Sequence, residues 1–244
     1  MKTNSVSAIK PEDLDMEHLD KYDVSTLIRA RDDVFGNERL RKQIENNLRE
    51  RNCIKDLLEL ESTEHDAEIQ IIIGNCYGIG FCGVQEDEKK AFEWYMKSAE
   101  QGYAEAQYIL GISYENGYGC EKDEKEAFEW YKKSAKQGHA NAQDSLGICF
   151  SDGFGCEKDN KKAFEWYEKA AEQGNSNAKV HLGFCYLNGD GCKKDEKKAL
   201  VWYTKASKQG NAGAQYILGK LYYSGSVCRK DEKKAFIWIK KSAE

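Results

Sequence analysis

Proline is almost missing from this sequence: Pro11 is the only one among 244 residues. A residue that locks φ and lacks an amide donor is avoided inside helices, so its scarcity favours a helix-rich chain over a loop-rich one. Long apolar runs are missing as well, and none approaches the roughly 18–20 residues that a membrane-spanning helix needs. Lys2 and Lys10 have no apolar stretch between them, so nothing at the N-terminus reads as a secretory signal. The chain has no Asn-x-Ser/Thr acceptor, and its nine cysteines are an odd count that cannot pair completely. These absences together make a cytoplasmic chain the expectation. An excess of positive charge is lacking too. Residues 1–66 hold 11 basic and 16 acidic side chains, whereas residues 67–244 hold 26 of each. A nucleic-acid binder needs a basic stripe to neutralise phosphates; here lysines interleave with glutamates at helical spacing, the pattern of a solvated helix face.

What is present is a repeat. Trp94, Trp130, Trp166, Trp202 and Trp238 recur at a constant interval of 36 residues. The surrounding words recur with them: AFEWYMKSAEQG, AFEWYKKSAKQG, AFEWYEKAAEQG, ALVWYTKASKQG and AFIWIKKSAE. Upstream of each lies a second word, as in AEAQYILGISYENGYGC and ANAQDSLGICFSDGFGC; the first copy carries one extra residue, placed at Cys82. The units are 67–102, 103–138, 139–174, 175–210 and 211–244, after a distinct acidic region at 1–66.

Each unit reads as two helices. Ala140, Ala142, Leu146, Gly147 and Phe150 form one stripe at spacings of three and four. A Gly-x-Gly turn follows, and an aspartate (Asp87, Asp123, Asp159, Asp195, Asp231) stands where the second helix needs an N-cap. The second helix buries columns such as Ala127, Phe128 and Tyr131 and ends at Gln-Gly, with Gly102, Gly138, Gly174 and Gly210 suited to a left-handed stop. Glu93–Lys97, Glu129–Lys133 and Glu165–Lys169 are spaced for i,i+4 ion pairs, worth about 0.2–0.5 kcal/mol each. A single hairpin cannot bury its apolar side, so neighbours must stack. The predicted fold is all-α: a right-handed superhelical solenoid of five tandem helix-turn-helix repeats with an N-terminal helical cap.

The order A-x-A-Q-x-x-L-G-x-x-Y-x-x-G-x-G-x-x-x-D-x-x-K-A-x-x-W-Y-x-K-A-A-x-x-G, which runs through 67–244, resembles the Sel-1-like repeat, a relative of the tetratricopeptide repeat, in the style found in fungi and protists. The chain departs from it chiefly after Gly-x-Gly, where the family usually has valine and this sequence has Cys120, Cys156, Cys192 and Cys228. The resemblance implies a scaffold or adaptor that binds a protein or peptide, with signalling as the setting. Its alternative is a non-catalytic regulatory subunit or tail of an enzyme such as a protein kinase or cell-wall polymer synthase.

Catalytic readings find little support. Gly78-Ile-Gly80-Phe-Cys-Gly83 matches G-x-G-x-x-G, but it aligns with the ordinary turn of every other repeat and follows no strand. No kinase motif set is present, nor the combined serine and lysine motifs of a β-lactamase. The carboxylates lie in solvated ladders, so no acid–base pair stands out. For the cysteine column a small buried apolar role is expected. A local disulfide (Cys149 with Cys156, Cys185 with Cys192) and a metal site remain alternatives, the latter without tight C-x₂₋₄-C spacing or a cluster among His18, His65, His139 and His181. No catalytic, cofactor-binding or metal residue is assigned, and the expectation is a non-enzyme.

Removing the scaffold columns leaves a variable face on the first helices: Glu105, Tyr108, Ile112, Glu115; Asn141, Asp144, Ile148, Ser151; Val180, Phe184, Leu187 after Asn177; and Tyr216, Lys220, Tyr223 after Gly213. In tetratricopeptide-like superhelices the first helices line the concave surface, so the resemblance makes Tyr108, Ile112, Asp144, Ile148, Val180, Phe184, Leu187, Tyr216, Lys220 and Tyr223 the expected partner groove, with aromatics as anchors. Phe236, Ile237 and Ile239 form a second candidate: the sequence stops at Ser-Ala-Glu with no polar capping helix, so this edge is expected to be uncovered, for self-association or as the cut end of a longer parent chain. In 1–66, Leu40, Ile44, Leu48, Ile54, Leu57 and Leu58 suggest helices that cap the solenoid or dock a partner, after a disordered acidic start of about 20 residues.

Overall fold

The structure, a computed structural model, describes residues 66–80 and 83–243, together with Ile54, Lys55 and Leu58 in helical backbone. The expected capping helices and acidic start lie otherwise outside the described residues. Among the described residues ten α-helices follow in order: α1 (Ala67–Ile79), α2 (Glu88–Glu100), α3 (Ala104–Asn116), α4 (Glu124–Lys136), α5 (Ala140–Asp152), α6 (Asn160–Glu172), α7 (Ser176–Asn188), α8 (Glu196–Lys208), α9 (Ala212–Ser224) and α10 (Glu232–Ser242). Among the described residues all regular structure is helical, and the fold class is an all-α helical-repeat solenoid. Two compact units divide it, residues 1–122 and 123–244. Within the first, α1 packs on α2 and α2 on α3; within the second, each helix from α4 to α10 packs on the next.

The helix ends follow from single residues. Asp159 begins α6 in extended backbone, and its carboxylate accepts the amides of Lys161 at 3.1 Å and Lys162 at 3.0 Å. Two of the amides that a helix start leaves without an intrahelical partner are thereby satisfied. Asp123 caps α4 in the same way, and Asp87, Asp195 and Asp231 each accept one amide at the start of α2, α8 and α10. Each odd-numbered helix stops at a glycine in the left-handed region, as at Gly153 with φ 80°. The second glycine of that turn has a different task. Gly155 sits so close to the Glu124 carbonyl and the Phe128 side chain that a Cβ would overlap both. It lets the turn of one repeat lie directly on the start of the preceding repeat's second helix.

Neighbouring repeats are joined by recurring contacts. Phe128 meets Phe150 edge to face with ring centroids 5.4 Å apart, and Phe164 meets Tyr186 likewise at 5.3 Å, the arrangement favoured by the aromatic quadrupole. Buried glutamines latch the first helix of a repeat to the end of the previous one: Gln143 Nε2 donates to the Ala135 carbonyl and Gln215 Nε2 to the Ser207 carbonyl, both at 3.2 Å. Asn175 caps α7 through Ala178 N while its amide donates to Asn141 Oδ1 at 2.9 Å.

One expectation is corrected. The lysines spaced for i,i+4 ion pairs turn instead to the tryptophan three residues earlier. Nζ of Lys97, Lys133 and Lys169 lies 3.9, 3.5 and 3.9 Å from the ring centroids of Trp94, Trp130 and Trp166. Glu129 takes Lys132 at 2.8 Å. Indole offers the strongest ring face for a cation and is in reach on the same side of the helix, so the ring, buried at Trp130 and half-buried at Trp94 and Trp166, competes with an exposed carboxylate and wins.

The cysteine columns also separate. Cys76, Cys149 and Cys185, on the first helices, are buried, whereas the turn column Cys120, Cys156, Cys192 and Cys228 is only half-buried. Cys156 Sγ points to the Cys149 carbonyl at 3.5 Å.

Candidate protein-binding groove

The variable positions fall on the first helices α3, α5, α7 and α9, and their columns differ in depth. Phe184 is 56% exposed, Tyr216 51%, Tyr223 63% and Ile148 37%. Lys220 is exposed, with Nζ 5.5 Å from the Tyr216 ring centroid, and Tyr108 and Ile112 are half-buried. Val180 and Leu187 pack against the buried cluster of Ala199, Tyr203 and Leu221. Their place is between helices, because in this repeat the column bears aliphatic side chains that the following hairpin covers. Asp144 is buried and meets His181, Oδ1 to Nδ1, at 2.7 Å. It stands behind His181 and does not itself line the concavity that Ile148 and Phe184 border.

Ile148 and Phe184 line one concavity of about 490 Å³ in the second unit. Its floor holds Ala163, Tyr167 and Cys185, its side wall His181, and its rim Asp152, Lys158, Asn160 and Asp190. The Tyr167 ring lies against the His181 ring, centroids 4.7 Å apart. Burial pushes the Tyr167 hydroxyl well above the usual tyrosine range, a hydrogen bond with Ser151 opposes this, and the Asp144 charge adds to it. Burial, then the neighbouring Cys192 and Asp190, lift the Cys185 thiol to about 12. Neither group is poised to ionise near neutrality, so the floor offers packing and neutral hydrogen bonding in place of a nucleophile.

A second concavity of about 280 Å³ occupies the first unit, lined by Ala91, Tyr95, Ile109, Ile112, Ser113 and Tyr118 among others. Each of those residues stands two 36-residue repeats before its counterpart in the larger concavity: Ala163, Tyr167, His181, Phe184, Cys185 and Asp190. The concavity therefore recurs in both units with a chemistry that changes along the chain: mostly apolar with Glu88 as its one charged residue in the first unit, and more polar in the second. His181, Asp152 and Asp190 were missing from the expected groove. His181 had a signal in the sequence, since its column otherwise holds Ile109, Ser145 and Ile217. Asp190 sits in a turn, where a polar residue is ordinary and nothing singles it out.

The expected self-association edge is apolar and open in the structure. Phe236 is 69% exposed, and Ile237 and Ile239 are exposed as well. Ile239 also rests on Gly219 of α9, where a Cβ would come within 2.6 Å of its Cγ1. Among the described residues no group of histidine, cysteine and carboxylate side chains is arranged to hold a metal, and no helix is long and apolar enough to cross a membrane.

Comparison with known proteins agrees with this geometry. No curated protein matches the chain. Among solved structures, a Sel1 repeat protein from Oxalobacter formigenes is 37% identical with a TM-score of 0.75, over 78% of this chain and 75% of that one. The Escherichia coli protective antigen c5321, which displays an SLR fold, is 24% identical with a TM-score of 0.70, over 96% of this chain and 56% of that one. The immunity protein PA5088 from Pseudomonas aeruginosa shares the fold at 18% identity and a TM-score of 0.57, over 98% and 87% of the two chains. The Sel1 repeat model matches residues 68–103, 104–139, 140–175, 176–211 and 212–244, each start one residue later than the periodicity places it. With five repeats covering most of its length, the chain belongs to the Sel1 repeat family.

Proposed function

We propose that this chain is a protein-interaction scaffold of the adaptor type that binds a partner segment along the variable face of its first helices, and that it performs no chemistry on that segment. The observation that carries this reading is the pair of equivalent concavities, each walled by a first helix and floored by the alanine and tyrosine columns of a second helix. Large side chains stand open at the larger one, Phe184 above all. A soluble chain ordinarily buries such groups, and exposed aromatics at the edge of a concavity are typical anchors for a partner. The deep floor groups are protonated and packed, which supports binding over catalysis. Tyr216, Lys220 and Tyr223 extend the same face within the second unit and serve as further contacts, and Tyr108 serves as one at the corresponding column of the first unit. The free thiols of Cys76, Cys120, Cys156, Cys185, Cys192 and Cys228 support a reducing, cytoplasmic setting, and the open edge at Phe236, Ile237 and Ile239 supports a weak second contact, between copies of the chain.

The test is affinity capture from the source cell with the intact chain beside a Phe184→Ala/Tyr216→Ala variant whose circular dichroism and melting match the parent. A protein retained by the parent and lost by the variant supports the groove. Equal retention by both removes it. Concentration-dependent mass in the ultracentrifuge, abolished by Phe236→Lys, checks the edge separately.

A further inference from the structure

The larger concavity has a charge pattern that its first-unit counterpart lacks. Asp152 is the last residue of α5 and Asp190 lies in the turn just after α7, and both border the same space. Helix C-termini are themselves the negative ends of the backbone dipole, equivalent to about half an elementary charge, and neither α5 nor α7 carries a basic residue in its last turn. The rim thus combines two carboxylates with two negative helix ends. Asp152 accepts a hydrogen bond from Ser151 Oγ at 3.0 Å and Asp190 one from Asn188 Nδ2 at 3.4 Å. Among the described residues neither has an ion-pair partner. Lys158 is the one lysine on this lining, and the third carboxylate, Asp144, is engaged with His181. The field reaches the floor, since the Asp152 and Asp190 charges help to lift Tyr167 and Cys185. The first-unit concavity has Tyr118 where this one has Asp190, and Ile109 where this one has His181.

We infer that the concavity formed by α5, α6 and α7 is a subsite for an arginine-bearing peptide segment, with the guanidinium at Asp152 and Asp190 and an adjoining aliphatic side chain against Ile148 and Phe184. This rests on the scaffold reading above and names the chemistry of its partner. Arginine fits better than lysine for two reasons. Its planar fork bonds carboxylates bidentately, and it stacks on an aromatic face such as the open Phe184 ring. A volume of about 490 Å³ lies within the range of about 300–1,000 Å³ typical of ligand sites. An acidic segment would meet two carboxylates without ion-pair partners at the rim, where like charges repel.

The test uses four synthetic peptides, acetylated and amidated: Gly-Ser-Arg-Leu-Ser-Gly and its counterparts with lysine, glutamate or serine in place of arginine. Each is titrated into the full chain while the imidazole resonances are followed by NMR, with His181 assigned from a His181→Gln variant. The arginine peptide should shift the His181 signals and bind at least about tenfold more tightly than the glutamate peptide, with lysine between. In an Asp152→Asn/Asp190→Asn variant, which keeps both hydrogen-bond acceptors, that preference should disappear. Phe184→Ala should weaken every peptide that binds. Arginine-peptide binding that ignores the aspartate variant, or leaves His181 unmoved, overturns the inference by placing the peptide elsewhere on an acidic chain. If all four peptides bind alike and all depend on Phe184, the charge assignment falls while the groove stands. If none binds, the subsite falls, and the capture experiment independently decides the fate of the scaffold reading.

Discussion

Gly147 offers a sharp test of how the hairpins are assembled, because two opposing effects can be separated. It sits inside α5, where the Tyr167 ring lies flat against the backbone. A Cβ on Gly147 would fall 2.5 Å from Cε1, 2.6 Å from Cδ1 and 3.1 Å from Cζ of that ring. Ordinary carbon contacts need about 3.5–4.0 Å, so in Gly147→Ala the ring must retreat by roughly 1 Å. It has little room: His181 lies on it, and it belongs to a buried cluster with Ala163, Ala170, Leu182 and Cys185. Overpacking of this kind costs about 1–3 kcal/mol. Alanine in place of glycine inside a helix returns about 0.8–1.0 kcal/mol. The net expectation is a loss of about 0–2 kcal/mol, where propensity alone predicts a gain. Gly213→Ala is the control, since that glycine is exposed and its Cβ would meet only Asn211 Oδ1 at 3.3 Å. Urea midpoints should move down for Gly147→Ala and stay level or rise for Gly213→Ala. In a Tyr167→Ala background, Gly147→Ala should become neutral or stabilising. A midpoint raised as much by Gly147→Ala as by Gly213→Ala, or an unchanged effect in the Tyr167→Ala background, refutes the account.

Two further outcomes follow from named groups. The amides of Lys90, Lys162 and Lys234 hold the carboxyls of Asp87, Asp159 and Asp231 below the ordinary aspartate value. A folded-state value below the unfolded one, about 3.9, means that their stabilisation is complete above that pH and is lost as the pH falls through the folded value. Urea midpoints should therefore drop below about pH 4, and Asp87→Asn/Asp159→Asn/Asp231→Asn should flatten that decline; an unchanged slope counts against the caps. In thiol labelling followed by mass spectrometry, Cys120, Cys156, Cys192 and Cys228 should react before Cys76, Cys149 and Cys185, because the latter are buried within the first helices. Equal rates at native conditions would contradict that burial.

Most of the fold was legible because its determinants are local and recur. An aspartate that caps a helix acts on amides two or three residues away, and a glycine in the left-handed region ends a helix on its own account, so 36-residue spacing of such signals suffices to place the hairpins. Alternating small and aromatic columns showed which faces meet, and Gly147 against Tyr167 is that rule in three dimensions. The i,i+4 charge pairs were misleading because spacing says which partners are in reach and not which is stronger: Lys133 had Glu129 and Trp130 both within range and lies over the ring.

The sequence by itself determined the repeat, the helix ends, the buried columns and the membership of the variable face in the first helices, since each depends on contacts within one 36-residue period. Only the tertiary structure decided which variable residues are open. Val180 and Phe184 are four residues apart on one helix, yet Val180 is covered by the following hairpin while Phe184 stands free. Asp144 and His181 are 37 residues apart and become a part-buried pair only when α5 and α7 come together. Asp190, in a turn with no distinguishing neighbours, acquires its meaning beside Asp152 in the same way. Exposure and charge pairing belong to surfaces that adjacent repeats make jointly, and a period read along one chain does not contain the distance between them.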